Sequence, residues 1–179
     1  MFVNHWPSRS GGQLESEPKR ITAAQTLRNS VERIFLSDST ANIIIIGDFN
    51  DEPLNKSVLD ALSAHPIKCD SIHAETEFES AKQLFNLSYE TFENGEGTFK
   101  YKDDWNMLDQ IIVSGNLITG NDLRFICGTF KIFKPDFIVT KNGQYEGTPF
   151  PTYGGRRYLG GYSDHFPVTA KFLLMRSEN

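Results

Sequence analysis

The chain has 179 residues, 39% hydrophobic and 12% aromatic, with a formal net charge of −5 and a pI near 5.4. That length and apolar content suit one domain with its own core, and no apolar run approaches the roughly 20 residues that a membrane-spanning helix needs. The acidic balance argues against holding nucleic acid on a broadly basic surface, although an enzyme with a local cationic pocket fits it well.

The opening Phe2-Val3-Asn4-His5-Trp6 reads as the end of a strand that Pro7 stops, which leaves His5 and Arg9 at a strand end and in the loop after it. It runs straight into polar sequence, without the pattern of a secretory leader. Residues 8–17, rich in Gly, Ser and Glu, read as an exposed loop. Pro18 then suits the first turn of a helix. Ile21, Ala24, Leu27, Val31, Ile34 and Phe35 recur at steps of three and four, so a helix with one apolar face should run to about Leu36. Arg20, Arg28, Glu32 and Arg33 are expected on its outer face.

Residues 42–51, N-I-I-I-I-G-D-F-N-D, carry four consecutive Ile without polar alternation, the pattern of a strand buried on both faces. Gly47 is expected to break that strand, with Asp48, Asn50 and Asp51 at its carboxyl end. Polar groups where a rigid strand meets a loop are held firmly yet reach solvent, which suits catalysis. The competing reading is a plain turn, since Gly, Asp and Asn are turn formers.

Past Pro53, Asn55 is expected to cap a short helix carrying Val58, Leu59 and Leu62. Residues 67–72 read as another strand. Residues 75–94 are polar and ambiguous, anchored by Leu84, Phe85 and Leu87. Residues 97–101 read as a strand before a turn at Asp103-Asp104. Leu108, Ile111, Ile112 and Val113 make a second buried strand, interrupted by Asp109, whose carboxylate needs a partner there. Residues 123–139 continue with aromatic and β-branched content. Residues 142–161, dense in Gly, Pro, Tyr and Arg, read as a long surface loop without an element of its own, a type that often carries function. Asp164 and His165 precede a final strand. The two cysteines, Cys69 and Cys127, fit neither a zinc pattern nor a disulfide framework and read as small buried apolar residues. His65 and His73 stand in no motif, and Trp6, Phe49 and Trp105 read as packing residues.

Four motifs in this order, N-H-W, G-D-F-N-D, L-D-Q-I-I-V-S and S-D-H-F-P-V, resemble those of the endonuclease/exonuclease/phosphatase superfamily of DNase I-like enzymes. The resemblance covers nearly the whole chain. It implies a single domain over residues 1–179 with an α/β (α+β) fold, a four-layer sandwich of two packed, mainly antiparallel sheets. It also implies roles. His165 would be the general base or its close partner, and Asp109 would hold and polarise it. Asp48 would orient or deprotonate the nucleophilic water, Asn50 would donate to a phosphate oxygen, and His5 would stabilise charge developing on the phosphoryl group. Asp164 would help hold a divalent ion, Mg²⁺ or Mn²⁺.

The chemistry asks for the same residue types. Attack on an anionic phosphodiester needs positive charge on the non-bridging oxygens and an oriented water. Hard oxygen ligands suit Mg²⁺ and Mn²⁺, and a histidine beside a carboxylate can move the proton. Arg9 could clamp a phosphate with its planar fork. Arg156 and Arg157 could do so at the rim, or simply lie in a solvated loop. Asp164 could equally cap a turn, and Asp109 could pair with a Lys or Arg.

The superfamily's pattern begins earlier than this chain: an Asn near a first strand and a metal-binding Glu precede the motif matched by His5. The expectation is therefore a C-terminal portion of that fold, incomplete at its N-terminus, weak in metal binding and activity and with an uncovered strand edge. The reading that follows is a metal-dependent phosphoesterase with a phosphorylated substrate, nucleic acid first. Lipid, inositol or nucleotide phosphates come next, because substrate choice lies in loops. A domain that only binds phosphorylated ligands is the alternative outside catalysis. Secretion or a periplasmic location stays open.

Overall fold

The computed structural model describes residues 1–73 (His73 by its backbone alone), 81–120 and 122–174. The expectations for the His73 side chain and for the first part of 75–94 lie outside the described residues.

β1 (Phe2–His5) leads through a short loop into helix α1 (Gln13–Ser37), which returns the chain to β2 (Ile44–Asp48). A single wide turn of helix (Ser57–Ala61), β3 (Ala64–Pro66), α2 (Cys69–His73), β4 (Leu84–Asn86) and α3 (Tyr89–Glu93) follow. Then come the hairpin of β5 (Phe99–Tyr101) and β6 (Asp104–Asn106), strand β7 (Asp109–Ser114) and α4 (Asn116–Thr119). β1, β2, β7, β4 and β3 lie side by side in that order in one mixed sheet. β2 runs parallel to β1, β3 parallel to β4, and β7 antiparallel to both its neighbours.

One face of this sheet takes α1. Ala24, Leu27, Val31 and Phe35 pack on Ile43, Ile45 and Ile112, all buried. The opposite face takes short strands that pair two by two. These are β8 (Leu123–Phe125) with β13 (Phe172–Leu174), and β9 (Lys131–Ile132) with β12 (Val168–Thr169). Ile111 and Val113 of β7 meet Phe125 and Phe130 there, with Ile44 and Ile46 half-buried at its margin. The Ile run is therefore covered unequally on its two faces, fully by the helix and partly by the short strands.

Several expectations need correcting. Gly47 does not break β2 but lies within it at φ +135°, where an added Cβ would sit 1.9 Å from the Asn4 carbonyl oxygen of β1. Close approach of the parallel neighbour, not strand termination, is what calls for glycine. Helix α1 starts five residues before Pro18, so 8–17 is only in part a loop. Pro18 costs it the bond to the Leu14 carbonyl, on an exposed turn where water can replace it. Residues 67–72 do not form a strand: β3 ends at Pro66, and α2 begins at Cys69. Asn55 caps through its carbonyl rather than its side chain, accepting from Val58 N and Leu59 N. Within 142–161 a small exposed hairpin forms from β10 (Tyr153–Gly154) and β11 (Arg157–Tyr158). Finally, Cys69 and Cys127 are not separate packing residues. They form a disulfide with Cα atoms 5.5 Å apart, tying α2 to the loop after β8.

Candidate active site

Strand register alone assembles the first part of the site. His5 pairs with Asp48 across β1 and β2, and Asp48 pairs with Asp109 across β2 and β7. Directly opposed residues share a face of the sheet, so the three side chains stand in one row across three strands. They share the face of Ile46 and Ile111, away from α1. A slip of one residue in β2 would turn Asp48 to the helix side.

The final segment supplies the fourth group. His165 Nδ1 lies 2.7 Å from Asp109 Oδ2, each side chain about one-fifth exposed (19% and 20%). The carboxylate that interrupts the Ile-rich strand thus has a histidine for its partner, not a Lys or Arg. The imidazole rests on the Phe99 ring, centroids 4.7 Å apart, and its backbone N–H donates to Ser163 Oγ. Buried Thr98 braces both halves: its Oγ1 accepts from Leu108 N and Asp109 N, and its carbonyl accepts from Phe166 N. Burial by itself would lower the His165 pKa, but the hydrogen bond and charge of Asp109, joined by Asp48 and Asp164, outweigh it and raise the value.

Asp48 receives the Asn50 N–H on Oδ1 at 2.8 Å and the Asn50 amide on Oδ2 at 3.1 Å. His5 Nε2 stands 3.5 Å from the same Oδ2 and is widely exposed. Burial raises the Asp48 pKa against the Asn50 N–H and the pull of His165. Asn50 holds a left-handed backbone at φ +50°, a conformation asparagine tolerates better than most residues. Its amide also donates to the Trp6 carbonyl at 3.0 Å. Donation to a ligand oxygen therefore means exchanging one of these two bonds.

Arg9 faces inward. Its Nε donates to the Asn50 carbonyl, Nη1 to Asn106 Oδ1 and Nη2 to Asn55 Oδ1, so it braces the loop after β2 instead of offering a free fork. Arg156 and Arg157 sit on the exposed β10–β11 hairpin. Asp164 is exposed beside His165.

Sequence reasoning missed the support beneath the site. Arg20, expected outside, is fully buried. Its Nε lies 2.7 Å from Asp51 Oδ2, out of line for a hydrogen bond, while Nη1 and Nη2 donate to Ser16 Oγ and the Gln13 carbonyl. Ser57 Oγ donates to the same Asp51 oxygen, and Gln110 Nε2 donates to the Asp51 carbonyl. A signal was available, because the buried stripe of α1 continues its steps of three and four upstream through Arg20 and Ser16. Glu52 follows Asp51, half-buried, with a pKa raised by that burial.

A divalent ion would need oxygen ligands, and Asp48, Asn50 and Asp164 are the right kind. Among the described residues, however, no three His, Cys, Asp or Glu side chains converge to hold one. The donor set fits in chemistry and falls short in number.

A family described as the Endonuclease/Exonuclease/phosphatase family matches residues 1–174. No curated protein matches the chain. Among solved structures, the human Nocturnin catalytic domain with bound sulfate anion matches with a TM-score of 0.50 at 16% identity, over 97% of this chain and 46% of that one. A mannosyl-6-phosphatase of Bacteroides thetaiotaomicron gives 0.46 at 15% identity, over 88% and 46% of the two chains. An endonuclease/exonuclease/phosphatase family protein of the same bacterium gives 0.46 at 17%, over 90% and 47%. The chain spans about half the length of these solved chains. The fold is the DNase I-like α/β sandwich that the motifs implied.

Proposed function

The chain belongs to the endonuclease/exonuclease/phosphatase family, and from that premise we propose that His5, Asp48, Asn50, Asp109 and His165 serve hydrolysis of phosphate esters by in-line attack of water. Phosphodiesters, nucleic acid first, are the proposed substrates. The observation that carries this reading is the 2.7 Å contact between Asp109 and His165 at the end of the His5–Asp48–Asp109 row. A histidine whose Nδ1–H donates a hydrogen bond to a carboxylate keeps Nε2 free to take a proton from water. The water oxygen then bonds to phosphorus as the bond to the ester oxygen breaks; the leaving oxygen takes a proton from solvent, and Nε2 releases its own to solvent. Asp48 orients that water, His5 faces the charge growing on the phosphoryl oxygens, and Asn50 donates to one of them in exchange for its bond to Asp48.

A bound Mg²⁺ or Mn²⁺, with Asp164 among its ligands, would supply positive charge on the non-bridging oxygens. Because the donor set is short, the proton steps above rest on the chain's own groups. The same shortfall favours a second reading, a domain that binds a phosphorylated ligand and turns it over slowly or not at all.

Hydrolysis of bis-(p-nitrophenyl) phosphate and of plasmid DNA, with Mg²⁺, Mn²⁺ or EDTA, separates the two. Metal-dependent cleavage that His165→Ala abolishes supports hydrolysis. Cleavage that survives the substitution removes His165 from the mechanism. Tight binding of phosphate esters without cleavage in any metal moves the second reading ahead.

A further inference from the structure

Cys69 and Cys127 are the chain's only cysteines, and their bond plays no part in the proposed chemistry. Both residues are half-buried and not sealed in the core. Cys69 and Gly128, one on each side of the bond, line a cavity of about 240 Å³ whose apolar lining includes Ile67, Leu87, Phe125 and Phe130, buried members of one core cluster. The bond therefore stands at the edge of the core, and sulfurs within reach of solvent are the ones that exchange with thiols. From Cys127 a short path leads to the candidate site. Three residues on, Phe130 enters the core, and β9 then pairs with Val168 and Thr169 of β12. Phe133 N donates to the carbonyl of Pro167, two residues past His165. β9 and β12 share only two residue pairs, too few to hold a position alone, so what steadies the loop before β9 steadies the stretch behind His165. We propose that Cys69–Cys127 is a thiol–disulfide switch: a dithiol opens it in the folded protein, and the loop released from α2 loosens β9 and β12 behind His165, slowing hydrolysis. The proposal rests on the phosphoesterase reading and adds regulation to it.

One thiolate of the dithiol attacks a sulfur of the pair to form a mixed disulfide, and its second thiol then displaces the protein's sulfur. Two electrons and two protons pass over, which leaves Cys69 and Cys127 as thiols and the dithiol as a disulfide. The opening is local, because each end keeps a seat of its own. On the loop side, Ile126 N donates to the Lys171 carbonyl and Lys171 N to Thr129 Oγ1. On the other side, Cys69 N donates to a Glu90 carboxylate oxygen at 3.4 Å, and Lys68 pairs with Glu93. What is lost is the covalent tie between these two seats, and with it the 2.9 Å hydrogen bond from Gly128 N to Cys69 Sγ. A bond sealed in the core would open only with the whole fold.

The test is to equilibrate the folded chain with mixtures of reduced and oxidised dithiothreitol and to count thiols by alkylation and mass. Both thiols should appear without urea. As they do, hydrolysis of bis-(p-nitrophenyl) phosphate should fall about 5- to 150-fold, and amide exchange in β9, in β12 and at Phe133 should quicken. Re-oxidation should restore both. Cys69→Ser/Cys127→Ser should match the reduced protein and ignore dithiothreitol, which shows that the reagent acts on this bond. Should that variant fail to fold, the reduced and alkylated wild type takes its place. Thiols that appear only in urea overturn the switch, and so does a reduced protein whose rate and exchange are unchanged. The phosphoesterase reading then still stands if His165→Ala abolishes hydrolysis. Faster exchange on reduction, with no hydrolysis in either state, keeps the thiol-driven loosening behind His165 and sinks the phosphoesterase reading instead.

Discussion

Two carboxylates at the same end of the sheet each lie 2.7 Å from a basic side chain, and they do opposite work. Asp109 faces His165 with about a fifth of each side chain open to water, whereas Asp51 faces Arg20 with 1% and 0% open. An imidazole changes charge near neutral pH, and a partly open one can exchange its proton with a substrate. A sealed guanidinium cannot, so the Asp51–Arg20 pair is a fixed charge that locks α1 to the loop carrying Asn50. The separation is identical, and access to water together with the chemistry of the base decides which pair is a site and which is a fastening.

The contrast can be broken in order of expected effect. His165→Ala should cut hydrolysis by about 10²- to 10⁴-fold while leaving the urea midpoint almost unmoved. A large loss of stability would make it a fastening too. Arg20→Met should do the reverse, costing up to about 3–5 kcal/mol in urea unfolding, because buried Asp51 loses its 2.7 Å partner and keeps only Arg9, 3.8 Å away, and the Ser57 hydroxyl. Arg20→Met combined with Asp51→Leu should recover most of that loss, since a buried pair replaced whole by apolar groups is often neutral. If the double variant is worse than the single one, the fastening does more than hold charge in place. Asp109→Asn sharpens the comparison through pH. The base must be neutral to accept a proton, so rate falls as pH drops through the His165 pKa. The raised value puts that acidic limb above the usual imidazole range, and losing the Asp109 charge should move it to lower pH. A limb that stays in place would show that another group titrates. Thr98→Val leaves Leu108 N and Asp109 N without their acceptor. It should cost about 1–3 kcal/mol and lower the rate modestly, read by the same unfolding and hydrolysis assays.

What could be read from the sequence follows the range over which its signals act. The Ile run, the helix stripe and the four motifs are local, and they were enough to bring His5, Asp48, Asn50 and Asp109 to strand ends on one side of the sheet. His165 came with its motif. Arg20 did not, because polarity alone placed it in solvent, and its partner Asp51 lies far along the chain with nothing in between to announce it. The cysteines failed for the same reason: spacing in sequence carries no distance in space, and two residues cannot declare a framework. Residues 67–72 look like a strand by composition, yet Pro66 ends β3, and the backbone after it turns into α2. The strand was lost to turn geometry, not to a weak hydrophobic pattern.

The Cys69–Cys127 bond also shapes the chain's response to force. Pulled from its ends while oxidised, the protein cannot pay out the 58-residue stretch between the two sulfurs. At about 3.3–3.6 Å per residue, roughly 200 Å of contour stays hidden. β4, β7 and Asp109 lie inside that stretch, and β1, β2 and His165 lie outside it. A stretched, oxidised chain would therefore come apart between its two halves of the site, parting Asp109 from both Asp48 and His165 while the loop holding it stays closed.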